Sequence, residues 1–173
     1  MNIAVYDDVV PYKNRSDIFY SCVDSKLKLG WQDQDHHELA DMNLFGDWGS
    51  DKLVESGLWE SLKECIKKTP WFTNKEVSSC KLNLIRPNDI HLIHSHGEEQ
   101  VALYYVNTEW RDGWYGETLF YSESTKEVEF TSPYVPGRII LFDGCIPHAI
   151  RPCLLYTSPS PRDMRRSRMP SSA

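Results

Sequence analysis

Beyond Pro70 the chain settles into a rhythm that only a β-rich domain can use. Six short runs follow one another, each ended by Gly, Pro, Asn or Asp: VSSCKLNLI (77–85), HLIHSH (91–96), VALYYVN (101–107), GETLFYS (116–122), KEVEFTSPY (126–134) and GRIILFDG (137–144). They are too short for helices and rich in β-branched and aromatic residues. Short strands punctuated by turn residues predict an all-β sandwich. Before Pro70 the period is different. Ile18, Phe19, Cys22 and Val23 recur at helical spacing within 14–28, and Leu53, Leu58, Leu62, Cys65 and Ile66 do so within 50–68. Ser50 is placed to cap the second helix and Thr69-Pro70 to stop it, while Gly57 weakens its middle. A short strand is expected at 3–10. Gly30 is expected to end the first helix, with Trp31 opening another strand. The expected fold class is α+β: supporting helices within 1–76 packed against a β core at 77–152.

At 173 residues the chain suits one domain. Its net charge of −6, with no basic patch before residue 153, argues against nucleic acid as a partner. No apolar run approaches a membrane span, and MNIAVYDDVV lacks the basic and apolar regions of a secretion signal. Cys22, Cys65, Cys80 and Cys145 are scattered and form no C-x-x-C pair. Unpaired thiols in a reducing, cytoplasmic compartment are expected. The final stretch, CLLYTSPSPRDMRRSRMPSSA (153–173), is rich in Ser, Pro and Arg and lacks apolar periodicity. It resembles a translated sequencing-library adapter, and we exclude it from the fold. Without its four Arg and one Asp the net charge becomes about −9.

The chemistry concentrates in DIHLIHSHGEEQ (89–100). In a strand, residues i and i+2 share a face, about 6.7 Å apart along the chain. His94 and His96 can therefore aim at one point. His148, in FDGCIPHAI (142–150), can add a third imidazole from a distant segment. Three ligands from two segments leave metal positions open, as non-haem Fe(II) oxygenases require. The plainer alternative is that each histidine is a polar residue on a sheet, and spacing alone does not exclude it. His91 has the opposite parity to His94, so it is read as structural or as a rim residue. Asp89 is read as a turn residue.

Several motifs in this region occur in a familiar order. They are His94-Ser95-His96, LYYVNTEW (103–110), GWYGETLFY (113–121) and VPGRIILFDGCIPHAIRP (135–152). From about residue 81 to 152 the chain resembles the Fe(II)/2-oxoglutarate dioxygenases of the prolyl-4-hydroxylase-like superfamily. The resemblance implies a double-stranded β-helix, or jelly roll, holding Fe(II) at its open end. It implies 2-oxoglutarate as cosubstrate, ascorbate as an accessory reductant, and hydroxylation of a small-molecule or peptide substrate. His94 and His148 match the first and last metal ligands. Tyr105 matches the tyrosine that binds the distal carboxylate of 2-oxoglutarate; Tyr104 points to the opposite face.

Two departures stand out. The family's middle ligand is a carboxylate, and here that position is His96. An all-imidazole set suits iron but carries one more positive charge. Glu98 or Glu99 could supply a carboxylate only if the strand bends. The family also places a basic residue on the strand after the last ligand, where this chain has its adapter-like tail. Arg151 should face away from His148; Arg138, at the start of RIILF, is a weaker candidate for the cosubstrate anchor, and an ordinary strand-end charge is its plainer reading. Weak turnover is therefore expected of this chain. Two other readings stay open: a jelly-roll binding module without catalysis, and a cupin-type three-histidine metalloenzyme that uses no 2-oxoglutarate. His36 and His37, among the carboxylates of WQDQDHHELAD (31–41), read as an acidic solvated loop, and Trp48, Trp71 and Phe72 read as core.

Overall fold

The computed structural model describes residues 1–30, 44–73, 76–87, 89 and 92–153. In chain order the elements are β1 (Ile3–Tyr6), α1 (Tyr12–Val23), β2 (Lys28–Leu29), β3 (Leu44–Asp47), α2 (Ser50–Glu55), α3 (Leu58–Lys67), β4 (Lys81–Leu84), β5 (Gln100–Tyr104), β6 (Thr118–Tyr121), β7 (Val128–Ser132), β8 (Ile139–Asp143) and β9 (His148–Ile150). Three antiparallel sheets result, in the orders β1-β8-β5, β2-β3-β4 and β7-β6-β9. This is a mixed α/β arrangement dominated by antiparallel pairing and compatible with a β-sandwich.

Strand β8 explains the layering. It is central in its sheet, and its first four residues, Ile139–Phe142, are all buried. A strand covered on both faces reads as a continuous apolar run, and IILF is one. Ile139 and Leu141 pack with Ile18 of α1 and with Leu58, Leu62 and Cys65 of α3. Ile140 and Phe142 face the other way, into a second cluster with Phe120 of β6, Tyr105 and Ile146. Helices thus cover one face of the β1-β8-β5 sheet, and the β7-β6-β9 sheet covers the other. The tyrosine pair obeys the same parity. Tyr104 packs with the helical cluster, and Tyr105 is buried between the sheets.

The helices differ from the sequence expectation in their boundaries. The first spans 12–23, not 14–28, and 28–29 pairs as β2 with β3. The second region is two helices, because Gly57 adopts φ +74° between them. A Cβ there would meet the Asn14 amide nitrogen at 2.6 Å, and that amide donates to the Ser56 carbonyl. Gly57 therefore turns the chain and admits Asn14 at the joint. Ser50 makes no capping hydrogen bond; Gly49 occupies the N-cap position. Within α3, Leu58, Ser61, Leu62 and Cys65 are buried at spacings of three, four and seven, one stripe against the sheet. Trp48 and Phe72 are core residues and Trp71 packs beside them, as expected. None of the five cysteines forms a disulfide. Among the described residues no helix is long and apolar enough to cross a membrane. Trp31, His36, His37 and residues 154–173 lie outside the described residues; Cys153 is buried and bridges Tyr115.

Candidate metal centre

The segment carrying the first two histidines forms a single antiparallel bridge rather than a regular strand. His94 N–H donates to the His148 carbonyl at 3.0 Å, and His148 N–H donates to the His94 carbonyl at 2.9 Å. Directly opposed residues project to the same face of a sheet, so this one bridge brings the two rings together. Two residues on, His96 N–H donates to the Gly144 carbonyl at 2.7 Å. Gly144 N–H in turn donates to the Glu99 carbonyl at 2.6 Å. The turn after β8 therefore clasps residues 96–99 and holds the third ring in place.

The ring centroids lie 4.4 Å apart for His94 and His148, and 5.1 Å apart for each pair involving His96. One ligating nitrogen from each ring lies within 4.8 Å of the others. Metal–imidazole bonds of about 2.1 Å bring donors to roughly 3–3.5 Å of one another, so a small inward rotation of the rings closes the set. The tautomers suit such a role. His148 Nδ1 is 2.9 Å from the Ile146 carbonyl, and His94 Nδ1 is 3.1 Å from the Leu92 carbonyl. A carbonyl only accepts, so each Nδ1 carries the proton and each Nε2 keeps its lone pair for a cation. Burial, reinforced by the charges of His94 and then His96, pushes His148 down to about 3. It stays neutral at ordinary pH, as a ligand must. Phe142 lies edge-on to His148 at 4.8 Å, and Phe120 lies on another side at 6.0 Å. These rings fix its orientation and exclude water.

No protein-family model matches this chain, and no curated protein matches it.

Among the described residues His94, His96 and His148 are the one group of three or more potential ligands gathered within reach of a common ion. Glu98 and Glu99 are exposed and do not join it. Asp89 is a buried turn residue whose carboxylate accepts from the backbone N–H and guanidinium of Arg86. His91 lies outside the described residues. Arg151 turns aside, donating to Glu117 at 2.7 Å and covering the Tyr115 ring at 3.8 Å.

Tyr105 and Arg138 are neighbours, since Tyr105 N–H donates to the Arg138 carbonyl. The Tyr105 hydroxyl is 2.8 Å from the Thr118 hydroxyl and donates to the Ser132 carbonyl at 3.3 Å. Burial raises its pKa, so it remains a neutral phenol. Arg138 directs its fork at Asp7, with two hydrogen bonds of 2.7 Å, and its remaining amine at Ser132 Oγ, 3.1 Å away. Arg138 immediately precedes β8 and Phe142 lies near its other end, about 13 Å away at strand rise. Arg138 thus stands at the far end of the interior from the histidines, with Asp7 as its carboxylate partner.

Sequence reasoning missed Gly144, Phe142, Thr118 and Ser132. Phe142 and Gly144 bracket Asp143 within FDG, at the turn that leads to His148. Thr118 and Ser132, both fully buried, carried no signal, because isolated hydroxyl residues in strands are common.

Proposed function

We propose that the protein is a non-haem Fe(II)- and 2-oxoglutarate-dependent dioxygenase that hydroxylates a small-molecule or peptide substrate. The observation that carries this reading is the convergence of His94, His96 and His148 from two segments, with two Nδ1 atoms tied to carbonyls. Such a set binds one face of an ion and leaves the rest for exogenous ligands. A bound ferrous ion would supply the activation of dioxygen.

The finer architecture we propose is a jelly roll. In support, the His94 segment extends the β7-β6-β9 sheet at its β9 edge, opposite the β1-β8-β5 sheet. Within that frame the chain's own residues have separate tasks. His148 and His94 orient Nε2 atoms. Phe120 and Phe142 keep water away from the ligands. Tyr105, Thr118 and the Arg138 amine near Ser132 form a buried polar end that would receive a cosubstrate carboxylate, with Arg138 shared between that carboxylate and Asp7. The neutral donor set supports one further reading, a three-histidine metalloenzyme that uses no 2-oxoglutarate.

An anaerobic titration separates the two. Fe(II) is added first, and binding is followed by calorimetry; 2-oxoglutarate is then added, and the visible metal-to-ligand charge-transfer band is read. We expect stoichiometric iron binding and a band that saturates with 2-oxoglutarate. Iron binding without the band favours the second reading, and absence of iron binding ends both.

A further inference from the structure

One group of side chains has no part in holding a metal. Tyr105, Tyr134 and Trp110 stack nearly parallel, with centroids 4.3 Å apart at 13° and then 3.9 Å apart at 20°. Trp114 continues the column edge-on at 5.6 Å, with the Arg111 guanidinium 5.2 Å from its ring. The column runs from the buried interior to the surface. Tyr105 is 3% exposed, whereas Tyr134, Trp110 and Trp114 are half-buried. The chain makes room for it. A Cβ on Gly116 would lie 2.8 Å from the Trp110 ring and 3.4 Å from the Tyr134 ring.

The inner end of the column is tied to the sheet that carries His148. Tyr105 bonds to Thr118, which lies opposite Ile150 in the β6–β9 pairing, and His148 lies opposite Phe120 two residues along. Thr118 and Phe120 are about 6.7 Å apart along β6. Side chains that touch the His148 ring include Phe120 and Phe142, and phenylalanine resists one-electron oxidation. Phenols and indoles give up an electron far more readily. Every ring of the column is a phenol or an indole, and together they form a path of near contacts from the interior outward.

We propose that Tyr105, Tyr134, Trp110 and Trp114 form an electron relay that drains oxidising equivalents from the metal site to the surface, sparing the histidines when oxygen chemistry misfires. This rests on the metal-site reading above. With hydrogen peroxide as oxidant, the O–O bond breaks and peroxide takes two electrons. One comes from the ferrous ion, which becomes ferric. The other comes from an outer indole, which becomes a neutral radical. The indole N–H proton and one solvent proton complete two water molecules. The Tyr105 phenolic proton shifts within its hydrogen bond to the Ser132 carbonyl as the vacancy passes, and returns when Tyr134 refills the ring. A soluble enediol or thiol reductant then restores the indole with one hydrogen atom.

The test uses the full chain loaded with Fe(II), with bound iron measured first, and then a stoichiometric pulse of hydrogen peroxide. Freeze-quench electron paramagnetic resonance reads the radical, and peptide mass spectrometry reads the sites of oxidation. In the parent protein we expect an aromatic radical and oxidation concentrated at Trp110 and Trp114. Tyr134→Phe keeps the ring and should lower both signals severalfold while oxidation at His94, His96 and His148 rises. Trp110→Phe, read the same way, guards against a folding defect in the first variant. Iron bound but no radical, or radical yield and damage sites unchanged in both variants, overturns the relay and leaves the metal site standing. Absence of bound iron overturns the metal site, and the relay with it.

Discussion

His94 and His148 exchange both of their backbone hydrogen bonds, so the bridge that pairs two segments also sets the distance between two ligands. Their rings lie 4.4 Å apart because their backbones are locked in register. Removing either imidazole leaves two donors, which bind a cation poorly. His148→Ala and His94→Ala should each weaken cobalt(II) binding by at least about 100-fold, beyond the 10–100-fold typical of outer-shell changes. The double variant should be little worse than either single one, because the ligands act as a unit. Isothermal calorimetry of the four proteins checks this; a single variant with parental affinity would refute the three-donor site.

Gly144 holds His96 through backbone alone. Its added Cβ would sit 2.6 Å from the Glu99 carbonyl oxygen and 3.0 Å from His96 Cβ. Neither contact can relax without moving the 96–99 segment. Gly144→Ala should cost about 1–3 kcal/mol in urea unfolding, as overpacking does. It should also weaken cobalt(II) binding, although position 144 carries no ligand. Lost stability with unchanged metal affinity would show that His96 is not part of the set.

Much of this site is legible in the sequence. The opposite parities of Tyr104 and Tyr105 follow from strand geometry and hold, and His94 and His96 do aim at one point, although through a lone bridge and a turn rather than a regular strand. The run GRIILFDG was legible as a strand, but its burial on both faces was not. The pairing of His94 with His148 was not readable from spacing, because register between residues 54 positions apart depends on tertiary packing. The helix boundary at Gly57 was underestimated for a related reason. A glycine in a helical pattern costs only about 1 kcal/mol, so the pattern alone could not say that Asn14 would occupy the joint. Arg138 was legible as a charge near a strand end. Its fork to Asp7, 131 positions away, was not.

Phe142 is the packing support of His148, and its two contributions can be separated. It is 1% exposed, with its ring 4.8 Å from His148 and 5.1 Å from Phe120. Phe142→Ala should cost about 3–5 kcal/mol by leaving a cavity. Phe142→Leu fills most of that volume, so its stability loss should be smaller. The leucine offers no flat edge to the imidazole, and His148 gains rotational freedom. The leucine variant should therefore lose metal affinity out of proportion to its stability, as read by calorimetry beside urea unfolding.

Acid should destabilise the metal-free protein through His148. Burial, then the charges of His94 and His96, depress its pKa from 6.5 to about 3. Above pH 6.5 both the folded and unfolded chains hold the ring neutral, and the full stability is present. As pH falls below 6.5 the unfolded chain takes up a proton that the folded chain refuses, so unfolding is favoured. The loss can reach about 1.4 kcal/mol per pH unit over that window. Between pH 6.5 and 5 most carboxylates remain ionised, and Asp7 is held lower still by the Arg138 guanidinium, so this range reports chiefly on histidine. Urea midpoints at half-unit intervals should fall more steeply in the parent than in His148→Asn, which cannot titrate. Parallel curves would mean that the ring at position 148 is not held neutral by its surroundings.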